Sequence, residues 1–240
     1  MSTTDFSKLG LHAQTSLWQA FYDDKTIQAC VADVCRFDET YRTLKRTWQT
    51  LSDDEHEQTD WLIALFNHLY QHSAMPTLLV RGKSEPEYFA SKDGMPARIE
   101  FAHGFFQSAL HEISHWCVAG ATRRGLDDFG YWDCPDGRDE MTQRQFEKVE
   151  IKPQAIECLL SLALGRYFYV SADNLNADFD TSNSTFATDV YAQAHAYLQN
   201  PHAPSHPLSK DAKRLIWVCL DMNMARQGVI CKYHLPHKSI

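Results

Sequence analysis

His111, Glu112 and His115 belong to the segment HEISH, in which two histidines stand four residues apart. Four residues are close to one 3.6-residue helical turn, so on a helix both imidazoles project from one face and can bind a single ion. Burying two bare imidazoles is costly, and a metal ion satisfies both of them. The alternative is a pair of core histidines that bond to backbone carbonyls. The spacing favours a metal site with His111 and His115 as ligands.

Two histidines do not complete such a site. The metzincin pattern HExxHxxGxxH requires a glycine and a histidine where this chain has Val118 and Ala121. The third ligand is therefore expected elsewhere, most naturally a carboxylate as in His/His/Glu sites. Spacing alone does not choose among the downstream candidates, which are Glu140, Glu147, Glu150 and Glu157.

Apolar periodicity predicts the elements that must position these side chains. A helix is expected from Phe105 to Ala119, ended by Gly120. Period-two alternation and aromatic residues indicate three short strands, at 77–81, 87–90 and 98–102. Further helices are expected around the apolar stripes 27–35 and 41–51, at 61–69 and at 153–164, 184–199 and 208–226. The predicted class is therefore α+β, mostly helical with a small β-sheet.

Two local signals predict where helices begin. Ser52 and Glu55 have the S-x-x-E spacing of a capping box, which would start the helix that carries Trp61. Pro153 is suited to a first helical turn, where its missing N–H has no partner to lose. The sequence therefore predicts that the 153–164 helix starts at this proline.

Composition limits the classes of function. The 240 residues carry 23 Lys plus Arg against 31 Asp plus Glu, a formal charge of -8, which argues against a dedicated nucleic-acid binder. The N-terminus lacks a secretory pattern and no run of 18 apolar residues occurs, so neither export nor a membrane span is expected. The odd count of seven scattered cysteines predicts free thiols in a reducing cytoplasm.

Longer strings resemble a known family. Residues 98–120 look like the central motif of the elongation factor P hydroxylase family, and similarity continues through 77–89 and 123–155 and weakens through 167–180. The strings FAHGF, HEISHWC, DFGYW, CPDGRD and VEIKPQA are together far more specific than HExxH alone. About half of the chain is covered by this resemblance.

The resemblance implies a cytoplasmic bacterial enzyme whose protein substrate is elongation factor P. It implies hydroxylation of a lysine that already carries a β-lysyl group, and one divalent metal ion on a metalloprotease-like HExxH helix. Carried over by position, the ligands are His111, His115 and Glu150. The corresponding division is a helical extension at 1–58, a metal-binding hydroxylase-like domain at 59–200 and a C-terminal helical segment at 201–240.

Two histidines and a carboxylate on one side of an ion form the facial triad that non-haem Fe(II) enzymes use to activate O₂. The same ligands hold Zn²⁺ in peptidases, so a zinc peptidase is one alternative and a non-catalytic, metal-stabilised partner of a translation factor is another. Glu112 is the catalytic candidate, handling protons in an Fe(II) hydroxylase or acting as general base in a peptidase.

Other residues are expected around the metal. His103 lies eight residues before His111 and is a candidate neighbour of the ligands, with a role at the strand-to-helix turn as the alternative. The segment 131–139 is acidic, and carboxylates attract a cationic lysyl substrate. The predicted substrate contacts are Asp136, Asp139 and Tyr131, although an Asp-Gly pair is also a common turn.

Overall fold

A computed structural model describes Leu11 and residues 14–130, 138–171 and 184–227, with side chains as far as residue 224. Its helices are α1 (Thr15–Asp23), α2 (Lys25–Ala32), α3 (Glu39–Thr50), α4 (Glu55–Tyr70), α5 (Phe106–Arg123), α6 (Glu140–Ala163), α7 (Phe186–Gln199) and α8 (Lys210–Gln227). Its strands are β1 (Thr77–Arg81), β2 (Glu87–Phe89) and β3 (Ala97–Phe101). The predicted α+β class, mostly helical with a small sheet, is confirmed.

The three strands form one sheet with β3 in the centre. β1 pairs with β3 in parallel and β2 pairs with it antiparallel. Ala97, Ile99 and Phe101 are buried while the residues between them are only partly buried, which is the alternation that predicted the strand. A short 3₁₀ turn at 102–104 then joins β3 directly to α5. The sheet therefore sets where the HExxH helix begins.

The predicted capping box at Ser52 and Glu55 is wrong. Asp54 caps α4 instead, because its carboxylate accepts a hydrogen bond from the backbone N–H of Glu57 at 2.9 Å. Ser52 Oγ accepts a hydrogen bond from the backbone N–H of Asp54. Glu55 bonds to the first turn of a different helix, α5. Its Oε1 accepts from the backbone N–H of Phe106 at 2.8 Å, which ties the first turn of α5 to α4.

The helix that carries the later glutamates is twice as long as predicted. α6 begins at Glu140, and Pro153 lies inside it rather than in its first turn. An interior proline removes one helical hydrogen bond, a cost of about 3 kcal/mol. Pro153 and nearly every residue after it in α6 are buried, and this burial outweighs the lost bond. Glu147, Glu150 and Glu157 consequently lie on one continuous helix.

α6 lies centrally, with α5, α7 and α8 packed against it, and α8 also packs against α2 and α3. One hydrophobic cluster contains described residues from Leu11 to Met222, among them Trp18, Leu65, Phe106, Leu159 and Ile216. The division at residues 58 and 200 stays a prediction. The site helices are held inside this shared core.

In the part of the chain that the structure describes, Cys30, Cys35, Cys117, Cys158 and Cys219 are free thiols, and the reducing compartment stays a prediction. Burial raises the pKa of Cys117, which disfavours the reactive thiolate beside the HExxH segment. Within the described part of the chain, the helices are too short or too polar to cross a membrane.

Candidate metal centre

Two stripes of polar side chains face each other across the contact between α5 and α6. On α5 the stripe is Gln107, His111 and His115, each four residues from the next. On α6 the facing carboxylates are Glu150 and Glu157, and His111 contacts both of them while His115 contacts Glu150. His111 pairs with the later Glu157 and His115 with the earlier Glu150, so the two helices run in opposite directions. Helical spacing on both sides therefore brings four titratable groups together in the core.

His111, His115 and Glu150 form a group that can hold a metal ion, because their donor atoms all lie within 4.8 Å of one another. The two Nε2 atoms are 3.0 Å apart. Glu150 Oε1 is 3.2 Å from His115 Nε2, and Glu150 Oε2 is 3.7 Å from His111 Nε2. Two imidazole nitrogens and a carboxylate facing a common point are a donor set that binds Fe²⁺ or Zn²⁺.

Gln154, one helical turn after Glu150, contacts the Glu150 carboxylate. The Gln154 amide lies 3.5 Å from Glu150 Oε2 and also donates to the backbone carbonyl of Ser171 at 2.7 Å. The backbone N–H of Ser171 returns a bond of 3.1 Å to Gln154 Oε1. The segment after α6 thus anchors the amide that borders the candidate ligand.

The electrostatics of the group favour a cation. Burial opposes a charge on His111, but the hydrogen bond and charge of Glu157 outweigh it and raise the pKa of His111 to about 10. Burial likewise opposes a charge on Glu150, yet the nearby His115 lowers the pKa of that carboxyl to about 2. With neutral imidazoles, these carboxylates would leave buried negative charge that a divalent ion balances. The charge and the donor atoms of His111, His115 and Glu150 therefore suit a divalent metal ion.

The members of the group differ in exposure. The side chain of Glu150 is only 5% exposed, whereas those of His111 and His115 are 29% and 20% exposed. The two imidazoles therefore keep more exposure than the carboxylate. Partly exposed ligands are compatible with a catalytic site, in which a bound ion keeps a position accessible to reactants.

The other candidate third ligands lie elsewhere. Glu157 contacts the opposite edge of His111, through Nδ1 at 2.8 Å. Glu147 accepts bonds from Gln143 and Ser184, and Glu140 pairs with Arg144 at the start of α6. Among the described residues, only Glu150 joins both histidines in one group.

Glu112 lies between the two histidines in sequence and is partly buried. Burial raises the pKa of Glu112, although His111 and His115 act in the opposite direction. His103 lies outside α5, on the exposed 3₁₀ turn, where its φ of 52° is left-handed. Its ring contacts Phe105 rather than the candidate ligands.

Of the predicted substrate contacts, Tyr131 and Asp136 lie outside the described residues. Asp139 is the N-cap of α6 and accepts from the backbone N–H of Thr142 at 2.7 Å. These backbone bonds lower the pKa of Asp139. Eleven residues separate Asp139 from Glu150, about 16 Å along the helix at 1.5 Å per residue.

Sequence reasoning missed Gln107, Gln154 and Ser161. Gln107 contacts both Glu157 and Ser161, and Gln154 borders Glu150. A signal was present, because Gln107 is four residues before His111 and the three residues Glu150, Gln154 and Ser161 recur at helical spacing in an apolar helix.

Residues 65–222 match the elongation factor P hydroxylase family. The chain belongs to that family. It is also similar to the elongation factor P lysine hydroxylase of Haemophilus influenzae, with 43% identity over 183 residues that cover 74% of this chain and 99% of the relative.

The segment matched to the elongation factor P hydroxylase family contains all of α5 and α6. The three candidate ligands and Glu157, which contacts His111 Nδ1, therefore lie within the segment that matches the family. The first three helices precede the matched segment, although α2 and α3 pack against α8, most of which lies inside it.

Proposed function

We propose that this chain is an Fe(II)-dependent enzyme that hydroxylates the β-lysylated lysine of elongation factor P in the cytoplasm. Family membership supports the hydroxylase activity and the substrate. The observation that carries the proposed metal chemistry is the group formed by His111, His115 and Glu150, whose donor atoms lie within 4.8 Å. When bound there, ferrous iron would supply the activation of O₂ that hydroxylation requires.

The residues of the chain have distinct tasks in this proposal. His111 and His115 would hold the ion through Nε2, and Glu150 would hold it from the buried side. Burial keeps Glu112 protonated to a higher pH than an exposed glutamate, so its carboxyl can hold and release a proton at the centre. The partial exposure of the two histidines is compatible with the approach of the lysyl chain.

The acidic segment before α6 is proposed to attract the cationic side chain of the substrate. Asp139 is the one predicted contact in this segment that the structure describes, and its lowered pKa keeps it charged. Asp136 and Tyr131 retain their proposed roles as partners of the lysyl ammonium group. His103, on its exposed turn, is proposed only as part of the surrounding surface.

The test is incubation of the ferrous-loaded chain with β-lysylated elongation factor P under air with a reductant, followed by intact mass measurement. The proposal predicts that the substrate gains the mass of one oxygen atom. The HExxH segment with a glutamate also suits a zinc peptidase, for which the substrate would be cleaved by the zinc-loaded chain. Binding without any change in mass would identify a non-catalytic partner. Either of these last two outcomes contradicts the proposal.

Glu112→Gln is expected to retain the metal and to lower the rate of hydroxylation by about 100-fold or more. The amide keeps the size of the side chain but cannot exchange a proton, and general acid–base groups contribute about 10²–10⁴-fold. Metal content by elemental analysis and rate by mass spectrometry measure the two effects separately. Unchanged turnover with bound metal would remove Glu112 from the mechanism.

A further inference from the structure

Glu157 is a buried carboxylate that the proposed metal chemistry leaves without a role. Its side chain is only 7% exposed, and its Oε2 lies 2.8 Å from His111 Nδ1. The group formed with His115 and Glu150 uses the other nitrogen of the same ring, Nε2. Since the two nitrogens lie on different edges of the imidazole, Glu157 cannot share an ion with the Nε2 edge.

The carboxylate of Glu157 is itself held by Gln107, whose amide also contacts Ser161. The amide of Gln107 donates to Glu157 Oε1 and lies 3.2 Å from Ser161 Oγ. Gln107 stands one turn before His111 on α5, and Ser161 stands one turn after Glu157 on α6. Ser161 is fully buried. One carboxylate oxygen thus contacts the imidazole while the other is fixed by an amide.

This arrangement dictates which nitrogen of His111 faces the metal group. A neutral imidazole has one N–H donor and one lone pair, and a carboxylate can only accept. In the neutral ring that metal binding requires, Glu157 therefore keeps the proton on Nδ1, and the lone pair of Nε2 points toward His115 and Glu150. Histidine ligands characteristically donate their second N–H to such a carboxylate, which fixes the ring and makes the ligand nitrogen more basic.

We infer that Glu157, held by Gln107, is a positioning residue that fixes the ring orientation and tautomer of His111 for metal binding. The inference rests on the proposed metal centre and adds a determinant of its affinity. A carboxylate with a purely structural role would affect folding stability but would leave the metal affinity of the folded protein unchanged.

Glu147 provides a matched control on the same helix. It is a partly buried glutamate that accepts from Gln143 Nε2 at 3.2 Å and from Ser184 Oγ at 3.0 Å. It contacts neither histidine of the metal group. Glu147→Gln and Glu157→Gln thus make the same chemical change ten residues apart on α6, one away from His111 and one against it.

The first experiment measures the Zn²⁺ affinity of the metal-free full chain by competition with a chromophoric chelator. Glu157→Gln is expected to weaken binding by about 10–100-fold, the effect typical of losing such a partner. Glu147→Gln is expected to match the unsubstituted chain. Equal affinity of Glu157→Gln and the unsubstituted chain overturns the inference but leaves the metal centre intact. Failure of the unsubstituted chain to bind Zn²⁺ overturns the metal centre as well.

The second experiment needs no substitution. In the zinc-loaded chain, long-range ¹H–¹⁵N spectra distinguish a protonated ring nitrogen from a metal-bound one. The inference predicts that His111 is bound through Nε2 and carries its proton on Nδ1. A spectrum that shows His111 bound through Nδ1 overturns it, whether or not the Glu157 variant folds.

Discussion

His115→Ala is expected to weaken ferrous ion binding by at least about 100-fold and to abolish detectable hydroxylation. His115 is the side chain that lies nearest both other members of the group, with Nε2 3.0 Å from His111 Nε2 and 3.2 Å from Glu150 Oε1. Metal binding energies of about 10–16 kcal/mol in structural zinc sites are shared among few ligands, so each ligand carries several kcal/mol. Metal content after gel filtration and the mass of the treated substrate measure both losses.

His206→Ala is the matched control for His115→Ala. His206 is an exposed histidine in the connection between α7 and α8, so its removal should leave the metal content and the rate unchanged. Equal loss in both variants would mean that the effect comes from the protein's general stability. Full metal content in His115→Ala would contradict the assignment of His115 as a ligand.

Asp221→Ala is expected to lower the free energy of unfolding by about 2–4 kcal/mol. Asp221 lies on α8 and accepts from the hydroxyls of Tyr22 at 2.8 Å and Tyr41 at 2.7 Å. Lys45 Nζ lies 2.8 Å from its Oδ2. Breaking a buried pair costs about 3–5 kcal/mol, and the value is lower here because the Lys45 side chain is 30% exposed. Urea denaturation of the metal-free chain measures the change.

Asp221 joins α1 and α3 to α8. Tyr22 belongs to α1, whereas Tyr41 and Lys45 belong to α3, and both helices precede the segment that matches the family. Glu85→Ala alters an exposed carboxylate between β1 and β2 and should change stability by less than about 0.5 kcal/mol. A similarly small change in Asp221→Ala would show that the contacts of Asp221 do not determine how firmly the early helices are attached.

The parts of the fold that depend on local pattern could be predicted from sequence. The period-two alternation of 98–102 predicted β3 to within one residue, because its alternate side chains face the core. The apolar stripes at 184–199 and 208–226 likewise correspond to α7 and α8 within two residues at each end. The HExxH helix was predicted to end at Gly120; α5 continues to Arg123, but its helical backbone is interrupted at Gly120, whose φ of 67° is the left-handed value that suits glycine.

Features that depend on contacts distant in sequence could not be predicted in this way. Periodicity left Glu140, Glu147, Glu150 and Glu157 equivalent, because only the crossing of α5 and α6 brings one of them to both histidines. Family resemblance implied Glu150, and the geometry groups that residue with His111 and His115.

Two predicted helix starts were wrong for a related reason. Pro153 has the local signature of a first turn, but burial against α5, α7 and α8 extends α6 through it. Glu55 matched a capping box, yet the N–H of Phe106 on another helix takes its carboxylate. In both places a long-range contact outweighs a local preference of about 1–3 kcal/mol.

The central claim is that His111, His115 and Glu150 together hold one ion. X-ray absorption at the iron edge of the anaerobic, ferrous-loaded chain tests it most directly. We expect one iron per chain, with scattering from two imidazole rings and from carboxylate oxygen, whereas His115→Ala should retain little iron and, in what remains, no more than one imidazole. An iron site with sulfur ligands, or one whose imidazole scattering is unchanged in His115→Ala, would contradict the claim.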